Sequence, residues 1–345
     1  MTLPDLPAGR KPPRRLWLFG PYVVLVVAAI LWSGAWLCIR SLVAARLDAA
    51  AAHSTVSGPS LAWDHRRIGG YPFRIEVVLD DARASEASGW GLQAPQIRAE
   101  TYAYDLKHWI AYAPRGVVLS RPGAGAVAIA GQALRASVAA EAPGQTRISL
   151  EGLKLVFTPA PGARGFSLAA ADHIDAHVRP AGPDQVEFLL QLQGAAFSPA
   201  SLIGRLAAGQ PVASAWHGTL SKASALAGGD WPQAARAWAA AGGGVELIGG
   251  GINAGPVALD VSGGHLGVGP DGRLQGTVSL GLAHAPASLA AFGRAGALDP
   301  ALASAAGEIA TARAAVSPTA KADLTFQAGV ATFGPIAIGP APRVY

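Results

Sequence analysis

The chain has almost no sulfur: one cysteine, Cys38, and one methionine, Met1, in 345 residues. An internal disulfide is therefore excluded, and with it a small stapled secreted scaffold; the core must form by burial alone. Charge is scarce too, at 14 % of residues. With many β-branched residues and glycines, that composition describes a folded β-rich body, not a disordered one. The net charge of +5 suggests a basic protein, but Arg10, Lys11, Arg14 and Arg15, against Asp5 alone, supply +3 of it. The body keeps no clustered Lys/Arg face, so nucleic acid is set aside as a partner. Two local signatures of exported hydrolases, H-E-x-x-H and G-x-S-x-G, are also missing.

Against that scarcity stands one long apolar run. Leu16–Ile39 contains no charge, with Arg14 and Arg15 just before it and Arg40 just after. As a helix it would be about 36 Å long, enough to cross a hydrocarbon core of about 30 Å. Trp17 and Tyr22 near one end, and Trp32 and Trp36 near the other, suit the headgroup levels. The bias of positive charge towards residues 1–15 places the N-terminus in the cytoplasm and the body outside. A cleaved leader usually has an apolar core of about 7–15 residues, so this longer run favours an uncleaved signal anchor. The small residues Ala44, Ala45 and Ala49–Ala52 keep cleavage there as the alternative. Cys38 lies inside the run, where a small apolar side chain is its plain role and lipidation the rival one.

The expected organisation is a cytoplasmic tail (1–15), a transmembrane anchor (16–39), a helical stalk (40–56) and two β-rich regions (57–198 and 199–345), the second with helices. Gln185–Gln193 alternates cleanly, with Val186, Phe188, Leu190 and Leu192 on one face. Arg273–Leu282 does the same behind the turn Pro270-Asp271-Gly272, which predicts a hairpin with Gly264–Gly269. Further strands are expected at Phe73–Ala82, Gln96–Tyr104, Val117–Ser120, Arg147–Phe157, Phe166–Val178, Val245–Leu247, Val257–Ser262, Ala322–Gln327 and Val330–Ile338. In Arg147–Phe157 the apolar set slips register at Gly152, which suggests a bulge. Helices are expected at Pro199–Ala208, at Trp231–Ala241 with Asp230 as N-cap, and as a broken pair over Ala287–Ala315. The fold class is mainly β (α+β): a transmembrane helix, then an extended curved antiparallel sheet with a few Ala-rich helices over part of its apolar face.

Chemical motifs are few. Gly267–Gly272 matches G-x-G-x-x-G, but a Pro-Asp-Gly turn leads it into a strand, not into the helix that a pyrophosphate site needs. Asp80-Asp81 reads as a strand end. His173, Asp175 and His177 would share one strand face and form a weak zinc candidate; alternation with Ile174 and Val178 explains the same spacing as a wet face. No catalytic residue and no cofactor is assigned.

A distinctive stretch follows the stalk: Trp63-Asp64, then Ile68-Gly69-Gly70-Tyr71-Pro72-Phe73-Arg74-Ile75. With Trp238–Gly243, Gly255–Asp260 and Phe333–Gly339, it resembles the bacterial envelope family catalogued as domain of unknown function 2125. The resemblance implies no activity and no catalytic residues. It implies a distant likeness to AsmA-like proteins, which hang a long periplasmic sheet with an apolar groove from one inner-membrane helix, some of them implicated in phospholipid transport. Trp63, Gly70, Tyr71, Pro72 and Phe73 carry the signature, and a structural role is expected of three of them: Gly70 and Pro72 set a bend and Phe73 enters the core.

Three functions remain open. The first is a non-enzymatic, single-pass inner-membrane protein whose periplasmic sheet binds a lipid or another apolar chain. The second is a scaffold or assembly factor that docks another envelope protein. The third, an exported hydrolase, rests on scattered His, Asp and Ser.

Overall fold

The structure is a computed structural model, and it describes residues 16–52, 60–86, 89–142, 145–226, 231–314, 319–334 and 336–345. One helix, α1 (Leu16–Ala52), opens the chain; at 37 residues it is about 55 Å long. It is long and apolar enough to cross a membrane, and only 6 % of its most apolar window is buried, which a core helix would not allow. The anchor and stalk form this single helix as far as Ala52. Arg14 and Arg15 lie outside the described residues, as does the Asp230 cap.

The rest is a large antiparallel sheet. Its first strands are β1 (Ser60–Ala62), β2 (His65–Gly69), β3 (Arg74–Ser85), β4 (Gly91–Tyr102), β5 (Asp105–Tyr112), β6 (Val117–Arg121), β7 (Gly125–Ala130), β8 (Ala133–Ala142), β9 (Gln145–Pro159), β10 (Leu168–Gly182) and β11 (Gln185–Phe197). Next come α2 (Leu202–Ala207), β12 (Val212–Ser221), α3 (Trp231–Ala240), β13 (Gly244–Ala254), β14 (Val257–Val268) and β15 (Leu274–Ala283). The chain closes with α4 (Ala285–Arg294), α5 (Pro300–Ala314), β16 (Thr319–Gln327), β17 (Val330–Phe333) and β18 (Ile336–Pro340). From β9 to β18 each strand pairs with the next. β11 and β12 pair from Gln185↔Ser221 to Leu192↔Ser214, so the sheet runs on past residue 198. The hairpin expected around Pro270-Asp271-Gly272 forms, with Val268 opposite Leu274.

Between β4 and β9 the sheet divides into two arms. β4 pairs with β5 through Arg98–Tyr102 and with β6 through Gly91–Gln93. The arms rejoin on β9, which meets β8 through residues 145–153 and β7 through Val156–Pro159. Pro95 sits at the parting point on β4, where its missing N–H withholds no ladder hydrogen bond.

Two residues in the left-handed region help keep the apolar side chains on one face. Asp81 on β3 adopts φ 50°, while the ladder with β4 holds one register from Asp80↔Gln96 to Ala82↔Ala94. Val77 and Leu79 before it, and Ala82 after it, are all buried. Asp80-Asp81 therefore lies inside a strand and is not its end. On β9 the bulge expected at Gly152 does not form: the ladders with β8 and β10 keep one register across it, and the left-handed residue is Lys154, with φ 50°. Gly152 leaves room instead for Leu155: a Cβ there would lie 2.5 Å from Leu155 Cδ1.

The principal core collects Val127, Leu155, Phe157, Val212 and Leu282 from the sheet and Leu206, Ala207, Leu289 and Ala291 from α2 and α4. Arg205 on α2 donates to Ala295 O at the end of α4, 2.9 Å away. The Ala-rich helices thus cover the apolar face over the later strands. A second core belongs to α1: Trp36 and Val43 pack with Ile75, Val77, Leu79, Ala82 and Ala103.

Candidate functional site

Over the first strands the apolar face stays open. Where the arms part, a groove of 500 Å³ is floored by Ala82, Ala84, Ala94, Ala111, Ala113 and Ala136. Leu92, Val117, Ile129, Leu134 and Leu150 wall it, and Arg83, Tyr112 and Arg135 are its polar neighbours. Alanine is poorly suited to strands, yet here each small side chain leaves the width that a Val or Ile would fill. Leu92 and Leu150 are 41 % and 45 % exposed, so apolar walls of the groove face solvent.

A second pocket of 300 Å³ joins this groove to the helix. Val43, Arg46 and Leu47 of α1 face Val77, Leu79, Ile97, Ala99, Leu106 and Trp109 across it. The two share Leu79 and Ile97. Two adjoining apolar pockets therefore lie between the flank of α1 and the parting of the sheet.

The signature residues build the joint between helix and sheet. Gly70 has φ 96°, and a Cβ there would stand 2.7 Å from Arg74 O, so only glycine makes this turn without strain. The Tyr71–Pro72 peptide is cis. Trp32 Nε1 donates to Pro72 O and Trp36 Nε1 to Arg74 O, both at 2.9 Å. Tyr71 packs edge-on against Trp36 at 5.5 Å between centroids, and its hydroxyl meets Ser33 Oγ at 2.8 Å. Arg40 Nε donates to Ile68 O. Above them, Arg66 reaches Ala44 O and pairs with Asp48 at 2.6 Å, with its guanidinium 5.7 Å from the Trp63 ring. Phe73 does not enter the core as expected: it is 63 % exposed, because β3 turns inward only from Ile75. Tyr22 is exposed on the free part of α1; the Trp17 side chain lies outside what is described.

The proposed metal trio is rearranged. His173 and Asp175 do meet, with Nε2 3.0 Å from Oδ2. The third group beside them is Glu151 on β9, opposite Asp175 in register. His177 instead faces Ser149, at 2.9 Å. Cross-strand register brings Glu151 here, and no local spacing in the sequence signals it. Glu151 is also held by Arg135 at 2.7 Å, so an incoming cation would have to compete with a guanidinium. The arrangement supports a cross-strand ion-pair ladder.

Other polar groups are paired along the strands. Glu187 lies between His217 and Arg179, each at 2.7 Å; the hydrogen bond from His217, then Arg179, hold its carboxyl below the usual range. Asp80 is lowered by the Gln96 hydrogen bond and by the charges of Arg67 and Arg115. His108 and the Lys107 N–H lower Asp105. His177–Ser149 is a Ser–His contact on exposed strand surface, and neither residue lines the two grooves.

A family model described as an uncharacterized protein conserved in bacteria, DUF2125, aligns with residues 36–342, from Trp36 of the joint to the last strand. No curated protein and no solved structure matches.

Proposed function

The chain belongs to the DUF2125 family of bacterial proteins, and on that premise we propose that it is a membrane-anchored envelope protein that binds lipid acyl chains without catalysing a reaction. The observation that carries this reading is the groove of about 500 Å³ and the apolar pocket that adjoins it beside α1. Its walls are Leu, Ile and Val, its floor is alanine, and its near end lies beside a helix suited to a bilayer. An exposed apolar groove of this size calls for an apolar occupant, and an acyl chain is the apolar molecule that a membrane offers. The positive N-terminal flank supports insertion with the N-terminus in the cytoplasm and the body in the periplasm, in the inner membrane. The AsmA-like resemblance points the same way.

The test is photocrosslinking of the full chain in vesicles that contain a phospholipid with a diazirine on its acyl chain. Adducts should concentrate on peptides that carry Leu92, Ile129 and Leu150. Substituting Ala84→Trp, at an exposed alanine of the groove, should remove them while leaving crosslinks to α1. Adducts confined to α1 in the unsubstituted chain would sink the lipid reading. A single dominant protein adduct from native membranes would favour the scaffold instead.

A further inference from the structure

We propose that the tip of the sheet where β2, β3 and β4 meet α1 is a bilayer-embedded foot, with Tyr71, Phe73, Tyr102 and Tyr104 seated in the headgroup and upper acyl region of the outer leaflet. This rests on the reading of α1 as a membrane span. The first argument is height. Leu16 follows the basic residues that hold one end of the span at a membrane surface. Trp36 stands about 30 Å further along the helix, which is the thickness of the hydrocarbon core. The tip is hydrogen-bonded to Trp36 and, one turn below it, to Trp32. A tip fixed to those two residues stands at the hydrocarbon boundary and reaches beneath it.

The second argument is chemical. Four aromatic side chains point outward at one tip: Tyr71, Phe73, Tyr102 and Tyr104 are 56 %, 63 %, 48 % and 68 % exposed. Tyr102 and Tyr104 stack at 5.1 Å, and the Arg74 guanidinium lies 5.9 Å from the Tyr102 ring. Amphipathic rings beside a cation suit the headgroup level. The two tryptophans expected to face lipid at this height give their N–H groups to the tip, and the tip supplies aromatics in their place.

The third argument is the backbone. The carbonyls of Gly70, Pro72, Phe73 and Arg74 all accept hydrogen bonds within the protein, from Arg74 N, Trp32 Nε1, Ala103 N and Trp36 Nε1. A tip that meets lipid must satisfy its own polar groups, and these four carbonyls meet that requirement.

The experiment places one cysteine at a time in the full chain carrying Cys38→Ala. The sites are Val27→Cys in the span, Phe73→Cys and Tyr104→Cys in the foot, and Lys321→Cys on β16. Each is labelled with an environment-sensitive fluorophore and reconstituted into phosphatidylcholine vesicles brominated either high or low on the acyl chain. The expected result is strong quenching of the Val27 site by the deep bromines. The two foot sites should be quenched by the shallow bromines, with blue-shifted emission, and the Lys321 site should be unaffected. Water-like, unquenched emission from both foot sites, with Val27 still quenched, would overturn the foot and leave the span standing. No quenching at Val27 would overturn the span and the foot with it. Equal quenching at Lys321 would also overturn the foot, since lipid contact would then not be confined to the tip.

Discussion

The joint depends on a few side chains whose removal has calculable effects. Trp36 is 7 % exposed and combines apolar burial with a donor to Arg74 O. Trp36→Ala should cost about 3–5 kcal/mol of packing between α1 and the sheet, seen as proteolysis between α1 and β3 at protease levels that the unsubstituted chain resists. Gly70→Ala forces a side chain into φ 96° against Arg74 O. It should cost about 1–3 kcal/mol, read as a lower midpoint in denaturant. The sequence made Gly70 legible, because a Gly-Gly-Tyr-Pro step before a strand announces a turn. It could not make Phe73 legible: an aromatic after proline looks like core, and only the fold shows that the inward face begins at Ile75. Glu187 gives a pH test. Its folded carboxyl is held below its ordinary value of 4.5 by His217 and Arg179. The stability it contributes is therefore present above that value and lost as pH falls through the lowered one. Thermal melts should show Glu187→Gln less stable than the parent near neutrality, with the difference shrinking in acid.

At the scale of elements, period-two segments with contrasting faces were legible. Gln185–Gln193 and Arg273–Leu282 appear as β11 and β15, and the broken helix over 287–315 appears as α4 and α5. β7 and β8 were not. In Ala133–Ala142 alanine occupies both faces, and in Gly125–Ala130 it fills one of them, so alternation carries little polar contrast and the best helix former masks the strand. Ala136 of β8 lines the groove beside alanines of β3, β4 and β5, which is why the candidate site was the least legible part of the chain. The covering helices are testable as an element: Leu289 on α4 is 7 % exposed in the principal core. Leu289→Ala should lower stability by about 2–5 kcal/mol, measured by thermal melting, with the joint at α1 left intact.

For the whole molecule, the sheet is divided by what covers it. Its own helices seal the later strands, while the first strands remain open beyond the part that α1 covers. Filling the open part should therefore affect ligand and not fold: Ala84→Trp, at an exposed alanine of the groove, should abolish groove adducts. Far-UV circular dichroism should keep its β signature, because the groove has unfilled volume for the indole. One consequence of the joint reaches further. The strand end is fastened to α1 through its own main-chain carbonyls and not through a pliable linker. A helix that leans to fit a thinner bilayer then carries the body over with it, as a mast carries its yard. Bilayer thickness would set the angle at which the open groove faces the lipid surface.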